Sequence, residues 1–228
     1  MNFIADLHIH SRFSRATSKA LNPRHLAAWA RCKGLNVLGT GDFTHPQWRA
    51  EMAEQLRLAE HTGLYRLAVE PETLECMDAK AGPGMQESAD PLFLLQTEIS
   101  SIYKRGGKVR KVHNLVFVPT LEDAERLSLR LAQIGTLNAD GRPILGLDSR
   151  DRLEIMLECA PGSVMIPAHV WTPWFALFGS KSGFDRLEDC YGDLSEHIFA
   201  LETGLSSDPA MNRLISRLDG YALVSNSD

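Results

Sequence analysis

The chain has 228 residues, 44% hydrophobic and 23% charged, with a formal net charge of −5. That length can bury one sizeable core, as one large α/β domain or two small ones. The acidic balance excludes a generally basic nucleic-acid binder but leaves room for a local basic patch. Cys32, Cys76, Cys159 and Cys190 are scattered without paired spacing. They read as reduced thiols of a cytoplasmic protein, neither a disulfide frame nor a zinc knuckle. No signal segment and no run long enough to span a bilayer is visible, so no membrane partner is expected, and the oligomeric state is left open.

The chain opens on Phe3-Ile4-Ala5-Asp6-Leu7-His8-Ile9-His10, an apolar start that becomes a strict alternation. Read as a strand, it sets Asp6, His8 and His10 on one face. A carboxylate and two imidazoles so aligned are the donors that zinc, manganese or iron bind. After a polar loop, Asn22-Pro23 predicts a helix start that Gly34 ends. Leu35 to Thr40 reads as a buried strand, completing a βα unit. A helix is expected from about Gln47 to His61, and an irregular Gly/Pro-rich loop from Ala79 to Asp90. Leu92 to Ile99 reads as one strand, Arg105 to Lys108 as a hairpin turn, and Val112 to Val118 as the return strand. Thr120 with Asp123 caps a helix through Ile134, and Asp148-Ser149 caps another up to Cys159. Strands are expected at Ser163 to Ala168, Ile198 to Glu202 and Tyr221 to Ser225, with a helix from Pro209 to Leu218.

Polar residues recur where apolar strands end. His8 and His10 follow the first strand, and Asp42 and His45 the second. Glu98 comes late in an apolar run, His113 lies in the return strand, and His169 ends Val164 to Ala168. Asp228 follows Val224. Singly, each has an ordinary explanation as a core histidine, a paired carboxylate or a cap. Together at strand ends, where barrel enzymes keep their active sites, they point to a metal centre. Neither a Ser/His/Asp arrangement nor a P-loop is visible. Lys104, Arg105, Lys108, Arg110 and Lys111 crowd one hairpin, and Arg12, Arg15 and Lys19 flank the first motif. Such cations fit a phosphate backbone, or merely a solvated tip. Trp171, Trp174, Phe178 and Lys181 lie in an aromatic loop after His169, suited either to a flipped base or to packing.

The Asp-x-His-x-His opening resembles the first motif of the PHP (polymerase and histidinol phosphatase) family of metal-dependent phosphoesterases. The longer string Asp6 to Lys19 is similar to the start of endonuclease Q and its bacterial relatives, some labelled helicase-associated. Gly41-Asp42-Phe43-Thr44-His45 stands where the family has a Thr-Asp-His motif. Asp42 matches its Asp, Phe43 replaces its His, and His45 is a further ligand candidate. Glu98, His113 and His169 match later family ligands, and Ser227-Asp228 matches the start of a last motif whose His does not follow. The resemblance implies a distorted (β/α)7 barrel that lacks its last helix here. It also implies one domain over residues 1–228, forming the N-terminal part of a longer protein. The implied cofactor is a cluster of up to three divalent ions (Zn, Mn or Fe) on His8, His10, Asp42, His45, Glu98, His113, His169 and Asp228. Asp6, Asp42 and Glu98 are the candidate catalytic carboxylates. The implied activity is hydrolysis of DNA beside deaminated bases or abasic sites. The alternatives are a phosphatase for a small phosphomonoester and a non-catalytic module of a helicase-labelled protein.

Overall fold

A computed structural model describes residues 3–73 and 90–228; the loop expected from Ala79 to Asp90 lies outside them except for Asp90. Among the described residues, eleven strands form three sheets: β1 (Ala5–Asp6), β2 (Val37–Gly39), β3 (Leu56–Leu58), β4 (Tyr65–Leu67), β5 (Leu92–Leu94), β6 (Gln96–Arg105), β7 (Lys108–Phe117), β8 (Ile144–Leu145), β9 (Val164–Pro167), β10 (Ala200–Thr203) and β11 (Ala222–Ser225). The orders are β1-β2-β5-β4-β3, β8-β6-β7-β9 and β10-β11. Backbone hydrogen bonds across the seams include Val170 N–H to the Glu202 carbonyl at 3.0 Å and Asp228 N–H to the His8 carbonyl at 3.0 Å. Among the described residues, strand pairing does not close these sheets into a barrel.

The helices form where caps and apolar faces agree. In α1 (Pro23–Lys33) the Asn22 side chain accepts the His25 N–H, and Gly34 ends the helix with φ 71°. In α3 (Leu121–Ala132) Thr120 accepts the Asp123 N–H, and in α4 (Ser149–Cys159) Asp148 accepts that of Arg150. Each such cap satisfies a donor that the helix itself leaves free, worth about 1 kcal/mol. Their buried faces meet the sheets in one core that includes Leu26, Phe43, Trp48, Phe93, Leu127 and Leu153. A smaller apolar cluster of Leu115, Phe117, Ile166, Ala168 and Ala200 lies along β7, β9 and β10.

Four expectations need correction. β1 ends at Asp6, because β2 offers register only to Ala5 and Asp6. Beyond it, Leu7 N–H bonds the Asn226 side chain instead of a strand. The helix expected to reach His61 is α2 (Pro46–Gln55); Leu56, 2% exposed, then pairs with Leu67 across an antiparallel β3–β4 ladder. Tertiary pairing there overrides helix propensity. The run Leu92 to Ile99 is split at Leu95 between two sheets. The last helix is short: α6 (Pro209–Asn212) gives way to a 3₁₀ turn at Ser216–Leu218, and α5 (Leu187–Tyr191) precedes β10. The hairpin forms as expected, with Arg105 opposite Lys108 and Gly106 and Gly107 at φ 60° and 73°, the left-handed pair that a two-residue turn requires.

Candidate metal centre

The site grows from three close approaches. Gly41 has φ 68°, and a Cβ there would sit 2.8 Å from the Ile9 carbonyl. Only glycine lets the strand after β2 turn against residues 9 and 10, and this brings Asp42 to His10. On β6 and β7, Glu98 faces Leu115 and Ser100 faces His113, so Glu98 and His113 are diagonal neighbours on one face. After β9, His169 turns back with its N–H on Glu202 Oε2 at 2.8 Å. Asp42, His169 and Asp228 have φ of 49°, 29° and 54°. Left-handed backbone at non-glycine residues costs on the order of 1–3 kcal/mol and persists only where surroundings enforce it.

Glu98, 0% exposed, is the hub. His113 Nδ1 lies 2.7 Å and His169 Nε2 3.3 Å from its Oε1. His10 Nε2 lies 3.4 Å and Arg142 Nη1 3.0 Å from its Oε2. His8 Nε2 is 3.7 Å from Glu98 and 3.4 Å from Asp228 Oδ1, while His10 Nε2 is 3.7 Å from the same Asp228 oxygen. Among the described residues, two groups could each hold an ion: His8, His10, Glu98 and Asp228, and Glu98, His113 and His169. With bonds near 2.1 Å, ligand atoms around a tetrahedral ion stand about 3.4 Å apart, close to these spacings.

The other ring nitrogens are braced. His8 Nδ1 faces both Glu202 oxygens at 3.0 Å, and Asn226 Nδ2 holds Oε1 at 2.7 Å. His10 Nδ1 faces Asp42 Oδ1 at 3.0 Å. Asp42 Oδ2 accepts from the Ser11 amide at 2.7 Å and hydroxyl at 2.6 Å, and from the Ser14 hydroxyl at 2.9 Å. A carboxylate on Nδ1–H fixes the tautomer and turns the Nε2 lone pair inward. Both Nε2 atoms are buried without a hydrogen-bond partner, an arrangement suited to metal ligation.

Charge agrees with this geometry. Burial pulls the His8 imidazole down, but the neighbouring carboxylates of Glu202 and Glu98 outweigh that and lift its pKa to about 10. His10 is likewise lifted against burial to about 11, by Asp228, Asp42 and Glu98. Burial raises the Glu98 carboxyl, yet His113, His10 and His169 hold it well below the usual range. Burial keeps His113 below its ordinary value, the neutral form that ligates.

Other expected site residues lie outside the two ligand groups. Asp6 accepts the Ser227 N–H at 3.1 Å and hydroxyl at 2.6 Å, outside both ligand groups. It anchors the chain before Asp228 and lines the same cleft as His10 and Asp228. His45 is also outside them, its ring stacked on Phe13 at 4.2 Å. Arg105 bonds Asp148 at 2.7 Å and the carbonyls of Asp189 and Cys190. Arg110 bonds the Gly183 carbonyl and lies 4.2 Å above the Phe184 ring. Arg12 pairs with Glu51, and Arg15 with Asp140 at 3.1 Å. Lys19, Lys104, Lys108 and Lys181 are exposed, while Lys111 covers Trp174 at 5.0 Å. Trp171 bonds Asn212 at 2.9 Å and packs on buried Phe178, whereas Trp174 is 51% exposed. Sequence reasoning missed Glu202, Asn226 and Arg142. A lone acid after apolar Ala200-Leu201 was a signal for Glu202, of the kind that marked Glu98; nothing local marked the other two.

Fold and site together define a mixed α/β protein with a buried His/Glu/Asp centre built for divalent ions. No protein-family model matches the chain. It is similar to the lesion-specific endonuclease Q of Pyrococcus furiosus, with a TM-score of 0.78 and 30% identity over 99% of this chain and 48% of that one. Endonuclease Q bound to a 27-mer duplex with an abasic lesion at the active site is alike at a TM-score of 0.77 and 30% identity, with the same coverage. A Bifidobacterium adolescentis protein described as a metal-dependent phosphoesterase shares the fold, with a TM-score of 0.52, 16% identity, and 98% of this chain and 86% of that one covered. Among curated sequences, the uncharacterised YqxK of Bacillus subtilis is 30% identical over 98% of this chain and 54% of its own length. An uncharacterised Methanocaldococcus jannaschii protein is 29% identical over 81% of this chain and 18% of its own. The chain thus spans about half or less of the curated relatives it matches. Among the described residues no helix is long and apolar enough to cross a membrane.

Proposed function

We propose that the chain is the catalytic domain of a metal-dependent DNA endonuclease that cuts beside deaminated bases or abasic sites, as one PHP-type barrel over residues 1–228. The observation that carries this reading is a convergent, braced ligand cluster in a chain whose near-entire length resembles a lesion-specific endonuclease. His8, His10, Glu98 and Asp228 would hold one ion, and Glu98, His113 and His169 another, within a cluster of up to three zinc, manganese or iron ions. Bound there, divalent ions supply Lewis-acid activation of water and positive charge for a phosphate.

The chain's own groups set the stage for that chemistry. Glu202 and Asp42 orient His8 and His10 and keep their Nε2 atoms inward. Asp6 positions Asp228 through Ser227. A cleft of about 590 Å³, lined in part by His10, Arg142 and Asp228, gives a substrate access to the cluster. DNA would meet the exposed cations Lys19, Lys104, Lys108 and Lys181 and the open face of Trp174, within a cytoplasmic repair setting.

The test is nicking of a duplex with deoxyinosine or an abasic site, against intact duplex and a phosphomonoester, in metal-loaded wild type and His10→Ala. Lesion-dependent nicking lost in His10→Ala is the expected result. Phosphate release from the monoester alone would replace this reading with a phosphatase, and inactivity on every substrate with a non-catalytic module.

A further inference from the structure

Arg142 is the charged residue at the cluster that the preceding account leaves without a task. Its Nη1 lies 3.0 Å from Glu98 Oε2, and among the described residues its guanidinium makes no other recorded hydrogen bond. Its side chain is 38% exposed and lines the cleft that reaches His10 and Asp228.

The backbone delivers it there. A Cβ on Gly141 would fall 2.2 Å from Asp42 Oδ2 and 2.4 Å from Ser14 Oγ, so only glycine lets this loop pass the brace of His10. Gly141 N–H bonds the Phe13 carbonyl at 3.0 Å, and Arg142 N–H bonds Asp140 Oδ1 at 3.1 Å. Immediately beyond, the Pro143 carbonyl accepts the Ser100 N–H at 3.0 Å, and β8 joins β6. Asp140 also holds Arg15, through the Arg15 Nε at 3.1 Å, on the wall of the same cleft. The loop is thus pinned on both sides of Arg142, and the reach of its side chain is fixed.

We propose that Arg142 is the phosphate-gripping residue of the site, its planar fork receiving two non-bridging oxygens of the phosphoester brought to the cluster. This rests on the phosphoesterase reading, though not on DNA being the substrate. Ions drawing on the Glu98 and Asp228 oxygens would loosen the single bond now made by Nη1 and free the fork for the cleft. A guanidinium matches phosphate bidentately, and a lysine ammonium does not. The rival role is to position Glu98 alone, and it predicts a loss of metal rather than of phosphate.

The full chain, loaded with manganese, is titrated with inorganic phosphate by calorimetry, and bound metal is counted by elemental analysis. Arg142→Ala should weaken phosphate binding about ten- to a hundredfold with metal content unchanged, as expected for a lost charged hydrogen bond. Arg142→Lys should recover only part of it. Added guanidinium should restore hydrolysis of bis(p-nitrophenyl) phosphate to Arg142→Ala. Phosphate affinity within about threefold of wild type, metal loss in parallel, or no phosphate binding by loaded wild type would each overturn the assignment. Wild type that cleaves the small diester but no lesion DNA ends the DNA reading and leaves Arg142 in place. Lesion nicking with unchanged phosphate binding in Arg142→Ala does the reverse.

Discussion

Replacing Glu202 by glutamine tests whether the brace behind His8 holds the centre together. Glu202 is 2% exposed and accepts from three donors. Its Oε1 takes His8 Nδ1 at 3.0 Å and Asn226 Nδ2 at 2.7 Å; its Oε2 takes the same ring nitrogen at 3.0 Å and the His169 N–H at 2.8 Å. Glutamine has the same shape but one acceptor oxygen, so its NH₂ must oppose either the His169 amide or the Asn226 side. Asn226 cannot resolve this by flipping, because its Oδ1 already accepts the Leu7 N–H at 2.8 Å. One buried donor is left unsatisfied, a cost of about 1–3 kcal/mol. For a chain of this size that lowers the melting temperature by roughly 2–12 °C. His8 also loses the charge that fixes its tautomer, which should weaken metal binding about 10- to 100-fold. Thermal unfolding of metal-free protein and a chelator competition measure the two effects. A melting temperature within about 1 °C of wild type, with metal affinity within about threefold, would refute the reasoning.

Metal binding should be steeply pH-dependent. His8 and His10, lifted to about 10 and about 11, carry protons at neutral pH that an ion must displace. Affinity should therefore rise by up to about two decades per pH unit between pH 7 and 9, with calorimetry in buffers of different ionisation heat counting the protons released. A pH-independent affinity would contradict it. For the metal-free protein the sign is opposite: these raised values stabilise the fold fully below the ordinary histidine pKa, and that contribution is lost as pH climbs through 10 to 11. Denaturant midpoints falling from neutral to alkaline pH would show it. In the aromatic loop, Phe178→Ala should cost about 3–5 kcal/mol of stability by leaving a cavity. Trp174→Ala, at a ring 51% exposed, should change stability by less than about 0.5 kcal/mol while weakening binding to abasic DNA. A melting shift for Trp174→Ala as large as that for Phe178→Ala would count against this division.

The sequence alone brought out His8, His10, Glu98, His113, His169 and Asp228 as candidates, because each breaks an apolar pattern, and the fold gathers them into two groups that could hold an ion. The sequence also located the capped helices α1, α3 and α4 and the Gly106-Gly107 turn, whose determinants lie within a few residues of each other. What it could not settle was which of two plausible partners each segment takes. Leu56 to Leu58 continues a helical pattern but pairs with Tyr65 to Leu67, and the run from Leu92 to Ile99 is divided between two sheets. Asp6 follows the same alternation as His8 and His10, yet only the end of β11, arriving from more than two hundred residues away, draws it to Ser227. Arg142 carries no local mark at all; Gly141 passing Asp42 brings it to Glu98. Local chain chemistry fixes caps, turns and donor types, since those energies act over a few residues. The pairing of donor with donor across the centre depends on close approaches between distant segments, and those exist only once the chain is packed.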